Sequence, residues 1–102
     1  MSGAYERELD AERGVVLYVE FTTSQRQVVD HVVILAVEHE GRRRTVRIYD
    51  GSHSVNEMHR HTLTGGKRPG ETFHRGTLGE AMRAAIAECA TGYEEMIEGW
   101  RQ

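Results

Sequence analysis

Three histidines, one aspartate and two arginines fall within the fifteen residues from Arg47 to His61 of a 102-residue chain. They run Arg47-Ile48-Tyr49-Asp50, then His53 after Gly51-Ser52, then His59-Arg60-His61. Imidazoles titrate near neutrality, so neighbouring histidines can divide general-base and general-acid work between them. Two chemistries suit the set. Neutral imidazoles with Asp50 can bind a divalent transition metal, for which His-x-His is a known ligand spacing. Without any metal or cofactor, one histidine can act as general base on a ribose 2′-hydroxyl and another as general acid. Lys67 or Arg47 then stabilises the phosphorane-like transition state. The metal-free reading assigns Asp50, His53, His59 and His61 as the reactive groups, and Arg47, Arg60, Lys67 and Arg68 as the phosphate-binding ones.

Charge distribution favours an anionic ligand for this segment. Residues 42–75 hold eight Lys or Arg against three acids, whereas the rest of the chain holds five against thirteen. The net charge of −3 thus conceals a basic tract inside an acidic protein, a pattern able to steer a phosphate backbone. The alternatives are a merely solvated hairpin, or a hairpin that docks an acidic protein or nucleic acid without chemistry.

The elements that must position these groups follow from hydrophobic periodicity. Apolar residues at Val15, Leu17, Val19 and Phe21 give a period-two stripe, predicting a strand over 15–24. A second strand, 28–39, is apolar on both faces from Val32 to Val37, as a central strand covered on both sides would be. Glu40-Gly41-Arg42 predicts a hairpin turn before a third strand at 45–50. A fourth strand is expected at 57–63 and a short edge strand at 72–74, beyond a Gly65–Gly70 loop. Residues 4–13 are charge-mixed and read as a short helix or a frayed arm. His59 and His61 would share one strand face, ~6.6 Å apart along it, and the strand–turn–strand order would fold Asp50 and His53 toward them.

Thr77-Leu78-Gly79-Glu80 fits a capping box. Behind it Leu78, Met82, Ala85, Ile86, Cys89, Tyr93, Met96, Ile97 and Trp100 recur at steps of three and four, predicting a helix to about Trp100 with a bend at Gly92. The expected fold is a single α+β domain over 1–102, an antiparallel β-meander of four to five strands packed against one long C-terminal amphipathic helix. One sheet face then lacks a cover, which predicts homo-oligomerisation or a partner protein.

The remaining candidates read as structural. His31, His39 and His74 are expected to be solvated, Cys89 to be packing, and Gly65-Gly66-Lys67 lacks the spacing of a nucleotide-binding loop. No apolar run is long enough to span a membrane, no signal peptide is evident, and the lone cysteine suits the cytoplasm.

With Arg47-Ile48-Tyr49-Asp50, His53, His59-Arg60-His61 and the helix opening at Thr77-Leu78-Gly79-Glu80, the chain resembles TumE-type toxins of bacterial toxin–antitoxin systems over roughly residues 30–100. The resemblance implies a β-meander with a C-terminal helix, a toxin acting on RNA as a metal-independent ribonuclease, and a cognate antitoxin protein as partner. The competing expectation is a non-catalytic binding or assembly module.

Overall fold

Alternating side chains and tight turns give the molecule a sheet before they give it anything else. In the computed structural model, which describes residues 1–52, 55–74 and 76–102, five long strands run as an antiparallel meander: β1 (Ser2–Asp10), β2 (Val15–Ser24), β3 (Gln27–His39), β4 (Arg42–Ser52) and β5 (Val55–Thr62). Two two-residue strands, β6 (Gly66–Lys67) and β7 (Glu71–Thr72), both pair with β5, and α1 (Leu78–Arg101) follows. The α+β architecture is the one expected from the sequence. The charge-mixed N-terminal segment is neither helix nor arm: it is edge strand β1, paired with β2 from Ser2↔Thr22 to Asp10↔Val15. An edge strand needs only one apolar row at most, so its alternation is weak, and charge on it discourages further pairing.

Two hairpin turns fix the register of the three central strands. Glu40 and Gly41 close β3–β4 with φ of 52° and 77°, and Gln25 and Arg26 close β2–β3 with φ of 51° and 67°. Two positive φ values in a two-residue loop match the twist of the flanking strands. Glycine adopts that conformation freely, whereas Gln25 and Arg26 hold it against the Cβ clash.

Cross-strand partners sort the side chains onto two faces. Val15↔Val37, Leu17↔Leu35 and Val19↔Val33 lie on the helix side, continued by Val33↔Tyr49 and Tyr49↔Met58. These residues are buried and meet Ala85, Cys89, Ile97 and Trp100 of α1. Truncating Leu17 or Leu35, each without exposed surface, to alanine removes contacts worth roughly 2–5 kcal/mol. Thr77 caps α1: its hydroxyl accepts from Glu80 N–H at 3.1 Å and donates to the Glu80 carboxylate at 3.0 Å. The helix is continuous through Gly92, with no break at the expected bend. Its C-terminal end is tied to the sheet by Leu63 N–H donating to Trp100 O at 2.8 Å.

At the start of α1 the core turns polar. His31, Gly51 and Asn56 form one row across β3, β4 and β5. His31 is 1% exposed and Asn56 3%. A Cβ on Gly51 would lie 2.3 Å from His31 Nε2 and 2.8 Å from Asn56 Oδ1, so the glycine is the space the two side chains occupy. Asn56 Nδ2 donates to the carbonyls of His74 and Gly76, just before the helix cap. That orientation turns Oδ1 toward His31, whose Nε2 lies 3.2 Å away and therefore carries the proton. The expectation that His31 is solvated is thus corrected. His39 is also partly covered, its ring edge-on to Trp100 at 5.5 Å.

Candidate functional site

A bulge in β4 decides where the arginines go. Leu35 pairs with Arg47 but Ala36 pairs with Thr45, leaving Val46 unpaired and buried. Val46 and Arg47 both line an open groove of about 810 Å³ between β4–β5 and the C-terminal half of α1. Arg60 sits beside Arg47 in register, and His61 and Arg68 complete the groove's basic wall. The acids Glu71, Glu88 and Glu95 line the same groove.

Among the described residues, ion pairs engage three arginines of the basic tract. Arg47 lies 3.6 Å from Glu88 and donates to the Tyr49 hydroxyl at 3.4 Å; Arg60 lies 3.6 Å from Glu71; Arg43 bonds Glu6 at 2.6 Å. Arg43, Arg47 and Arg60 are thus met by acids from β1, α1 and β7 respectively. Beneath Arg47, burial raises the Tyr49 phenol well above its usual range, with Cys89 adding to the effect. Burial also pushes the Cys89 thiol up to about 11, which leaves it protonated and unreactive at neutral pH, as a packing cysteine should be.

Three members of the predicted reactive set, Asp50, His59 and His61, lie on β4 and β5. Asp50 stands on the helix-free face opposite Glu57, and Ile48 is opposite His59. His59 Nδ1 donates to Arg68 O at 3.1 Å, and its Nε2 lies 3.4 Å from Glu57 Oε2. Nδ1 is thus committed to a backbone carbonyl, and Nε2 faces a carboxylate. His61 lies four residues beyond Glu57, roughly 14 Å along the strand from Asp50 at ~3.4 Å per residue. It lines the groove, and its Nδ1 is buried without a partner among the described residues. Burial lowers its pKa, a backbone hydrogen bond at His59 partly offsets the fall, and the Lys67 ammonium opposite it in register adds to it, so the ring is neutral at neutral pH. His53 lies outside the described residues. Among the described residues, no three His, Cys, Asp or Glu side chains are grouped to hold a metal ion.

The opposite sheet face holds what motif reading missed. Strand alternation places Glu6, Tyr18, Ile34, Ile48 and His59 in one row, and Ala4, Glu20, Val32, Asp50 and Glu57 in the next. Tyr18, Val32, Ile34 and Ile48 are half-buried by their neighbours alone, since α1 lies on the other side. The signal was present as the two-faced apolar run of β3, but the carboxylates framing it come from four strands. No helix among the described residues is long and apolar enough to cross a membrane. Comparison with known protein families, with functionally described proteins and with solved structures finds no match.

Proposed function

We propose that this chain is a non-catalytic binding module whose working surface is the helix-free face of its sheet. The supporting observation is the row Tyr18–Ile34–Ile48, three large half-buried side chains adjacent on central strands with no element of the described residues above them. A contiguous apolar surface of this kind is normally covered by a partner. The test is a photo-crosslinking residue at Ile34, compared with one at Thr91 in the groove. A discrete adduct from position 34, abolished by Ile48→Glu in a variant that keeps its circular dichroism, supports the reading. Adducts from position 91 alone count against it.

A second reading, an RNA-directed toxin restrained by an antitoxin, draws support from one observation. His61 is a neutral imidazole in a groove that also holds Arg47, Arg60 and Arg68. It expects growth arrest on expression and cleavage of single-stranded RNA, both lost in His61→Ala. Cleavage that survives that substitution removes it.

A further inference from the structure

We infer that the helix-free face receives a cationic amphipathic helix of a partner protein and not a second copy of this chain. The inference rests on the binding-module reading above. It adds the chemistry of the occupant.

Shape gives the first constraint. Val16, Tyr18, Val32, Ile34 and Ile48 lie on three adjacent strands. Three strands at ~4.8 Å spacing make a strip about 10 Å wide, the diameter of one helix. A β-strand could add only at a sheet edge, and this surface is the sheet's middle.

Charge gives the second. Glu6 and Glu8 border the strip on the β1 side, Asp50 and Glu57 on the β5 side, and Glu20 and Asp30 stand at one end. Among the described residues, the register places two cations with them: Arg43, already committed to Glu6 at 2.6 Å, and Lys67, opposite His61 beyond the β5 border of the strip. Asp50 and Glu57 face each other directly, a like-charge pair that a cation lying over them would relieve. A complementary occupant therefore carries apolar residues at steps of three and four, flanked by Lys or Arg.

The same carboxylates exclude the simplest alternatives. A two-fold pair of these faces would set identical acidic borders against each other. The exposed side of α1, with Glu80, Glu94, Glu95 and Glu98, is no better matched as the incoming helix of a second copy. A phosphate backbone meets the same repulsion.

The test uses the full chain and two synthetic helices about eighteen residues long, about five turns. Both carry the same leucine face, one with lysine and one with glutamate at the polar positions, and binding is read by fluorescence anisotropy at low and high salt. The lysine helix should bind, weaken with salt, and lose about tenfold or more in affinity to Ile34→Glu. The pair Glu20→Lys with Asp50→Lys, which leaves the apolar strip intact, should reverse the preference toward the glutamate helix. Equal binding of both helices, or preference for glutamate by the unaltered chain, overturns the cationic occupant and leaves the binding face standing. Light scattering that shows a dimer dispersed by Ile34→Glu makes a second copy the occupant, with the same consequence. Failure of both helices to bind a monomeric chain overturns the face and its occupant together.

Discussion

Asp50 and Glu57 stand directly opposite each other on β4 and β5, so two carboxylates share one position of the helix-free face. Like charges so placed destabilise a sheet by a few tenths to ~1 kcal/mol. Asp50→Asn keeps the shape, leaves the Glu57–His59 contact in place, and should raise stability by roughly 0.5 kcal/mol. Urea unfolding at low salt checks it, and the gain should shrink as salt is added. A lower midpoint in the variant would show that Asp50 is a structural acceptor after all.

Gly51 should tolerate no side chain. With Asn56 Oδ1 and His31 Nε2 both inside van der Waals reach of any added Cβ, Gly51→Ala must displace the buried pair and should cost roughly 1–3 kcal/mol. Asn56→Ala should cost a similar ~1–3 kcal/mol, because it leaves the His31 N–H buried without an acceptor. A double-mutant cycle on His31 and Asn56 measures their coupling.

The Gln25-Arg26 turn holds two side-chain-bearing residues at positive φ. Arg26→Gly removes the clash there and should stabilise the chain by about 1 kcal/mol, less the extra freedom glycine gives the unfolded state. Thermal unfolding of the variant, with a midpoint above that of the unaltered chain, is the expected outcome.

His61 makes stability acid-sensitive. Its pKa is lower folded than the ordinary 6.5, so between those two values the unfolded chain binds the extra proton. The stabilisation is complete above the ordinary value and is lost as pH falls through the folded one. Urea midpoints measured below neutrality should decline less steeply for His61→Gln than for the unaltered chain.

Cys89 gives the opposite sign at alkaline pH. A thiol whose pKa rises from 9.0 to about 11 on folding contributes stability below pH 9.0 that is lost as pH climbs toward 11. Cys89→Ala should flatten that decline, with Tyr49 supplying the remainder. Labelling of the native thiol by a disulfide reagent at mildly alkaline pH should proceed at least about a hundredfold more slowly than in urea, since burial withholds both access and thiolate.

The fold was legible where periodicity was strong. The apolar rows of β2 and β3 and the three-four spacing of α1 each state one buried face, and together they dictate a sheet covered by a helix. β1 escaped because Ala4, Tyr5 and Leu9 make no row; what makes it a strand is the open edge of β2, a property of another segment. The candidate site was legible as residue types but not as geometry. His59 and His61 do follow one another along one strand, with Glu57 two residues before, yet the other partners of the rings are Arg68 and Lys67 from the following loop, which no spacing rule ties to them. His31 looked solvated because its partner lies twenty-five residues away and its space is made by a missing side chain.

The covering helix comes last in the chain, after every strand it covers. During synthesis Leu17, Val19, Val33, Leu35 and Tyr49 must therefore wait, unshielded, for residues 78–101 to leave the ribosome. At ~5–20 residues per second that wait lasts about three to seventeen seconds between Tyr49 and Leu17, far longer than a hairpin takes to close. Both faces of the nascent sheet are greasy during that interval, and only one will ever be sealed by the chain itself. Vectorial synthesis thus exposes this protein to chaperones, and to its own kind, from two sides at once.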